Sequence, residues 1–174
     1  MQFSVTMPNR VWVSDTTCFK LNKLYYYICV IIDLYSRKVV AHSISQKHST
    51  QLITGAFKNA FKTRQPDDGL IFHSDRGSQY TAHAMEKLLK SCKAEHSFSP
   101  TCKPCHNAVM ESFFSSMKKK ELYRTNYHSA DELKKCIDKC IEFYNMERPH
   151  AALNYKTPNS CEHLFYERNV QKAN

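Results

Sequence analysis

The chain has 174 residues, of which 42% are hydrophobic and 12% aromatic, and its formal net charge is +9. This composition fits one globular domain with a sizeable core and excludes a disordered chain. The positive charge favours an anionic partner, most commonly nucleic acid, although a merely soluble basic protein has the same balance. No apolar run approaches the roughly 20 residues that a membrane-spanning helix needs, and no hydrophobic signal region is visible, so we predict a cytoplasmic protein with reduced cysteines.

The first third of the chain alternates as β-strands do and then changes to a helical period. Residues 10–19 and 38–45 are rich in β-branched residues, and an apolar and aromatic run, 24–33, lies between them. Three such strands joined by short polar links favour an antiparallel meander. The apolar residues after Thr50 recur every three or four positions, which predicts an amphipathic helix with Ser49 or Thr50 as its N-cap.

The rest of the chain is predicted to alternate short strands with helices. An apolar strand that starts at Leu70 ends on Asp75, and Gly77 behind it predicts a tight turn. Apolar spacing and β-rich residues then predict these elements: a helix over about 81–91, a short strand over 94–99, and two closing helices over 107–122 and 130–144. The order β-β-β-α-β-α-β-α-α predicts a single α/β layered domain over 1–174, with the part from about residue 126 packed on it.

Two aspartates stand where the strand pattern makes a carboxylate costly. Asp15 lies inside the first strand and Asp75 at the end of the fourth, and a buried, unpaired carboxylate costs several kcal/mol. Either one alone could face solvent. If the two strands lie side by side, however, the aspartates meet, and a hard divalent cation is the natural remedy for their repulsion. Glu111, in the first turns of a predicted helix, is the best candidate for a third carboxylate ligand.

The helix that carries Glu111 also has a polar stripe. Asn107, Glu111, Ser115 and Lys118 follow one another at spacings of four, four and three, so they share one face, which continues into a lysine run, 118–120. A metal site beside a phosphate backbone would need such a stripe. From the helix alone, a solvated polar face remains the simpler interpretation.

The three acids occur in recognisable motifs with characteristic spacing. Asp15, Asp75 and Glu111 stand in "WVSD", "HSDRGSQYT" and "NAVMESFF", with 59 residues between the first two and 35 between the last two. These motifs, together with the later "FYNMERPHAALNYKTP", resemble the catalytic core of the DDE transposases and retroviral integrases. The chain most resembles the second-frame transposases of bacterial insertion sequences, over nearly its whole length. It departs from them at His106, where an aspartate is usual, and in carrying one lysine more than expected within 118–120.

The resemblance implies a ribonuclease-H-like fold, with a five-stranded mixed sheet flanked by helices. It implies that Asp15, Asp75 and Glu111 are both the catalytic residues and the ligands of two Mg²⁺ ions, for which Mn²⁺ is expected to substitute. The implied reaction is phosphodiester cleavage at transposon DNA ends, followed by strand transfer by the freed 3′-hydroxyl. Two ions in such a site can activate the attacking oxygen and stabilise the leaving one.

The resemblance also implies partners. Lys118, Asn107 and Lys119 are the expected DNA contacts, and a homodimer or higher oligomer is expected on transposon ends and target DNA. We expect this to take place at nucleoid DNA in a bacterial cytoplasm, with no membrane involved. Relatives carry an upstream helix-turn-helix domain, which this chain is expected to lack.

Two other functions remain open from the sequence. A metal-dependent nuclease of the same fold would have the same acids without strand transfer, and a non-catalytic DNA-binding domain would not need them. Among the other residues, Asp33 and Arg37 are predicted to pair across a turn, whereas the Arg148-Pro149-His150 motif has no derivable role. A zinc site at Cys102-Lys103-Pro104-Cys105 is not predicted, since a structural site needs four ligands and usually two such pairs.

Overall fold

A five-stranded sheet organises the protein. In the computed structural model, residues 5–99 and 108–173 are described. Its strands are β1 (Val11–Leu21), β2 (Leu24–Asp33), β3 (Val39–Ser45), β4 (Ile71–Ser74) and β5 (Glu95–Phe98), in the order β3-β2-β1-β4-β5. The first three strands pair antiparallel, which confirms the predicted meander, and β4 and β5 join parallel to β1 and to each other. The sheet is therefore mixed, as predicted.

Helices cover both faces of this sheet. They are α1 (Thr50–Arg64), α2 (His83–Ser91), α3 (Ala108–Met117), α4 (Ala130–Met146) and α5 (Pro158–Ala173). On one face Trp12 and Ile31 pack with α1 and α2, and on the other Val13 and Val30 pack with α3 and α4. This division follows from the strand period of two, because successive residues of β1 point to opposite faces. Trp12, Ile31 and Val30 are fully buried.

One helix was not predicted from the sequence. We expected two helices after residue 106, and α5 is a third. Its start carries a recognisable signal, since the Thr157 hydroxyl accepts a hydrogen bond from the Ser160 backbone N–H and Pro158 occupies the first helical position. The apolar period that reveals the other helices is weak here, because α5 is anchored mainly by polar contacts.

A buried ion network around Glu162 anchors α5. Glu162 is only 4% exposed to solvent. Both of its carboxylate oxygens accept hydrogen bonds from the Arg64 guanidinium, at 2.5 and 2.9 Å, and Lys38 Nζ lies 3.1 Å from Oε2. The Ser36 hydroxyl lies 2.9 Å from Oε1. Burial raises the pKa of Glu162, but the hydrogen bonds and charges of Arg64 and Lys38 outweigh it and hold the pKa below its ordinary value.

The same network accounts for Asp33. Its carboxylate accepts hydrogen bonds from the backbone N–H groups of Asn9 and Ser36, at 2.6 and 2.9 Å, and from the Ser36 hydroxyl at 3.0 Å. The pairing that we predicted with Arg37 is thus not what satisfies Asp33. Arg37 instead adopts a left-handed backbone conformation, with φ of 62°, and its side chain turns to another site.

The end of α3 explains the additional lysine. A π-helical turn, Lys118–Leu122, follows α3, and the Tyr123 N–H donates to the Lys118 carbonyl at 2.9 Å, five residues back. Met117 and Leu122 are both buried in the same core, although an α-helix would not place positions five apart on one face. The wider turn accommodates one more residue and so keeps Leu122 in the core.

Among residues 5–99 and 108–173, no helix is both long enough and apolar enough to cross a membrane.

Candidate active site

Strand register places Asp15 and Asp75 side by side. β1 and β4 are parallel and pair as far as Val13 opposite His73, and each aspartate lies two residues further along the chain. Asp75 directly follows Ser74, the last residue of β4, whereas Asp15 is inside β1. Since adjacent strands lie about 4.8 Å apart, the two side chains leave the sheet at neighbouring points. The structure therefore brings together two acids that are far apart in the sequence.

Glu111 approaches the same point from α3, the helix that packs on this part of β1. It lies in the first turn of α3, with an exposed side chain, while the next-door Met110 is fully buried and fixes the rotation of the helix. Burial raises the pKa of Asp15 to about 6; a backbone hydrogen bond from Thr16 opposes this, and the negative charges of Asp75 and Glu111 add to it. All three carboxylates thus share one electrostatic environment.

This environment disfavours the ionised form of Asp15 in the absence of a cation. The Thr16 N–H, 2.7 Å from Asp15 Oδ1, offsets only part of the cost of burying the charge. Within the described residues, no three His, Cys, Asp or Glu side chains converge closely enough to form a ready metal cluster. Asp75 and Glu111 lie near enough for their charges to affect Asp15, but the three carboxylates do not form a preorganised set of metal ligands. Their hard oxygen donors suit Mg²⁺ or Mn²⁺.

Gly77 orients the Asp75 carboxylate by donating a hydrogen bond to it and by having no side chain that would crowd it. An unusual backbone conformation is not involved. The Gly77 N–H donates to Asp75 Oδ1 at 3.0 Å, and a Cβ added at Gly77 would also lie 3.0 Å from that oxygen. The backbone of Gly77 does not have the positive φ found at Gly69. We predicted a tight turn at Gly77, and the structure shows why the residue must be small: any side chain would crowd the carboxylate that the turn orients.

Under the DNA cleavage reaction that the family resemblance implies, we expect Gly77→Ala to lower the cleavage rate by about 10²-fold with little change in the free energy of unfolding, because a displacement of the Asp75 carboxylate by a few tenths of an ångström disturbs positioning and not packing. Cleavage of an end-bearing duplex and the unfolding midpoint should be measured together. Ser78→Ala, one residue along the same exposed loop, is the matched control. Equal cleavage by the two variants would contradict this role of Gly77.

Tyr80 contacts the segment that carries Asp15, and the sequence did not single it out. Its buried hydroxyl lies 2.9 Å from Ser14 Oγ and 3.4 Å from Thr16 Oγ1, the residues on either side of Asp15. Tyr80 closes the loop that begins at Asp75, so it ties the two aspartate-bearing segments together from the opposite face of the sheet. The apolar and polar pattern of the loop gives no sign of this contact, since it depends on which strand lies beside it.

The predicted DNA contacts are placed unequally. Lys118 is half-buried at the start of the π-helical turn, and its charge lowers the pKa of Asp15, so it lies near the acids. Lys119 is exposed, with no described contact to them. Asn107 lies outside the described residues, as do His106 and the cysteine pair at 102 and 105.

Comparison with known families decides the affiliation of this fold and site. A family model described as an integrase core domain matches residues 5–104, and a second one with the same description matches residues 92–158. The chain belongs to the integrase core domain family. The resemblance predicted from the three acid motifs is thereby confirmed.

Curated relatives agree with this affiliation. The chain is 36% identical to the "Transposase for insertion sequence element IS904" of Lactococcus lactis, over 92% of this chain and 64% of the relative. It is 32% identical to the "Putative transposase InsK for insertion sequence element IS150" of Escherichia coli, over 94% of this chain and 58% of the relative. The chain thus spans about three fifths of the length of these relatives.

Solved structures confirm the predicted fold. The HTLV-2 integrase catalytic core domain, described as a dimeric form in complex with magnesium, superposes with a TM-score of 0.70 at 20% identity, over 90% of this chain and 98% of that one. A chain of the simian T-cell lymphotropic virus intasome gives a TM-score of 0.77 at 17% identity, over 90% of this chain and 55% of that one. At these identities the likeness concerns the fold, which is the ribonuclease-H-like fold of integrase cores.

Proposed function

We propose that this integrase core is the catalytic core of an insertion-sequence transposase, which cleaves phosphodiester bonds at transposon ends and joins the freed 3′-hydroxyl to another DNA strand. One observation carries the proposal. Asp15 of β1 stands level with Asp75 beyond β4, and the charge of Glu111 on α3 reaches the same carboxylate. The transposase names of relatives at 36% and 32% identity support the choice of reaction.

Mg²⁺ fits the donor chemistry of this site. Asp15, Asp75 and Glu111 would hold it, since carboxylate oxygens are preferred ligands and their mutual repulsion is relieved by a divalent cation. Bound there, the metal would polarise the phosphoryl oxygens and increase the nucleophilicity of the attacking oxygen. Mn²⁺, with similar ligand preferences, is proposed as a substitute.

The residues of the chain would contribute position and charge. In the proposed cleavage, water attacks phosphorus and the bond to the 3′ oxygen breaks, which leaves a 3′-hydroxyl on the transposon end. In the proposed joining, that hydroxyl attacks a target phosphorus and displaces the 3′ oxygen of the target strand. Gly77 and Tyr80 would hold the aspartates in register, and Lys118 would bind a phosphate beside the scissile bond.

A strand-transfer assay with pre-cleaved transposon ends and Mg²⁺ tests the proposal directly. Joined products would support transposase chemistry. Hydrolysis of the uncleaved ends without any joining would favour the nuclease interpretation, and neither product would favour a DNA-binding domain. Because joining two ends to a target needs at least two active sites, we propose that the chain acts as a dimer or larger assembly on DNA.

We expect Lys118→Ala to weaken DNA binding for all sequences alike and to reduce the salt dependence of binding by about one phosphate contact, because a lysine near the acids would read the backbone and not the bases. Affinity should be measured by fluorescence anisotropy at several salt concentrations. Lys119→Ala is expected to have a smaller effect, and Lys87→Ala, exposed on α2 across the sheet, serves as the control. Unchanged binding at low salt would remove Lys118 from the DNA contacts.

A further inference from the structure

A cationic pocket lies on the flank of α3, next to the face that carries Glu111. It has a volume of about 240 Å³ and is enclosed by the first two turns of α3, the end of α4 and the segment after it, and the turn between β2 and β3. Three basic side chains line it, Arg37, Arg148 and His150, together with the hydroxyl-bearing Ser112 of α3. Two of these residues belong to the Arg148-Pro149-His150 motif, for which the sequence suggested no role.

The guanidinium groups of this pocket form no ion pair with an acid among the described residues. None of the six ion pairs among the described residues involves Arg37 or Arg148. Arg148 donates one hydrogen bond, to Ser116 Oγ at 2.6 Å, and Arg37 has none among the described side chains. Burial lowers the pKa of Arg37, and the electrostatic effects of Tyr144 and then Asp33 only partly offset this. Half-buried guanidinium groups are usually paired with anions, and within residues 5–99 and 108–173 neither of these two forms an ion pair, so both can accept an external anion.

His150 is also affected by the excess of positive charge in the pocket. Burial, followed by the positive charges of Arg148 and Arg37, lowers its pKa. Its Nε2 atom is buried without a hydrogen-bond partner in the described part of the chain. An imidazole nitrogen enclosed beside two cations, with nothing to bind, is an unmet hydrogen-bonding group that a polar ligand would satisfy.

Aromatic packing holds the pocket in shape. Tyr144 of α4 contacts Phe113 of α3 edge-on, with ring centroids 4.8 Å apart, and contacts the His150 ring at 4.6 Å. The Arg148 guanidinium lies 5.7 Å from the centre of the Tyr144 ring. These contacts fix the basic groups before any ligand arrives, which lowers the entropic cost of binding.

We propose that this pocket binds a phosphate group of a DNA strand that runs along α3. A guanidinium fork matches two phosphate oxygens, and the Ser112 hydroxyl can donate a further hydrogen bond at the wall of the pocket. The negative charge of a bound phosphate would favour protonation of His150, whose Nε2–H could then donate as well. Ser112 and Glu111 lie in the same turn of α3 on neighbouring sides, about 100° apart, so a strand that leaves the three acids and bends round α3 would reach this pocket. DNA as the source of the phosphate rests on the proposed function, whereas the anion site itself rests on the unpaired charges.

Arg37→Gln tests the pocket most cleanly, because Arg37 supports no described hydrogen bond, whereas Arg148 also holds Ser116. Binding of a fluorescent duplex should be measured in EDTA, so that the outcome does not depend on the metal or the acids. We expect Arg37→Gln to raise the Kd about fivefold near 100 mM salt and to lower the salt slope by about one phosphate. Lys58→Gln removes the same charge from α1 on the opposite face and should leave both values unchanged. Equal effects of the two variants would overturn the proposal.

The source of the phosphate needs a second measurement. Phenylglyoxal modification of Arg37, followed by mass spectrometry, should be blocked by the duplex at concentrations near its Kd. Protection by millimolar inorganic phosphate but not by the duplex would show a small-anion site and contradict DNA binding there. If the wild-type protein neither cleaves nor joins transposon ends, but Arg37→Gln still weakens binding of the duplex, the proposed function is refuted and the phosphate pocket stands.

Discussion

Asp75→Asn is expected to abolish DNA strand cleavage while the protein stays folded. Asp75 would be a metal ligand, and replacing its charge by an amide removes electrostatic stabilisation of the transition state, for a loss of roughly 10³-fold or more. Folding should be insensitive, because the Asp75 side chain is exposed and its described hydrogen bond comes from the Gly77 N–H, which an asparagine oxygen can also accept. A stability change within about 0.5 kcal/mol is expected.

The experiment needs both an activity and a stability measurement. Cleavage of a labelled transposon end in Mg²⁺ or Mn²⁺ should be followed beside the urea unfolding midpoint. Asp67→Asn, an exposed aspartate in the loop before β4, is the matched control and should cleave normally. Asp15→Asn and Glu111→Gln are expected to lose cleavage to the same extent as Asp75→Asn. If Asp75→Asn still cleaves the transposon end, the assignment of the three acids as catalytic residues is wrong.

Glu162→Ala is expected to lower the free energy of unfolding by about 3–5 kcal/mol, since it removes one partner of a buried ion pair and leaves the others without a counter-charge. Arg64 and Lys38, half-buried beside Glu162, would be the stranded cations. Urea denaturation at pH 7 measures the loss. Glu167→Ala, in the same helix, removes an exposed acid that lies 3.3 Å from His163, and it should cost under about 1 kcal/mol.

The pH dependence of the Glu162 effect has a definite sign. The folded state holds the pKa of Glu162 below its ordinary value of 4.5, so the folded state prefers the ionised carboxylate. Its contribution is therefore complete above about pH 4.5 and is lost as the pH falls through the lower, folded-state value. The difference in stability between the wild-type protein and Glu162→Ala should shrink at acidic pH. A constant difference down to pH 3 would mean that Glu162 acts by packing and not by charge.

Much of the fold was predictable because hydrophobic periodicity is a local property. The meander, α1 and α4 were read within one or two residues of most of their ends, although α1 and α4 each extend slightly further than their apolar pattern. The candidate acids were predictable for another reason. Asp15 and Asp75 were anomalous where they stood in apolar strands, and their motifs resembled those of a known family.

The parts that failed depend on contacts between distant segments. α5 was missed because it is anchored by Glu162 to Arg64 and Lys38, residues about a hundred positions away. The hydrogen-bond partners of Asp33 could not be predicted from the adjacent sequence, because one of them, the Asn9 N–H, lies 24 residues upstream. Such polar contacts leave no periodic trace, because they depend on individual atoms meeting and not on a repeated face.

The sequence by itself determined the strands, most of the helices and the family, because periodicity and motif order are written along the chain, and it predicts the three acids as the site. Only the tertiary structure decided that Asp15 lies level with Asp75, because that requires β1 and β4 to pair in parallel in one particular register. It likewise decided that Gly77 leaves room for a carboxylate and that two arginines share a pocket whose described lining residues include no acid. These three features depend on how closely segments far apart in the sequence approach each other in the fold, and that distance cannot be read from the order of residues.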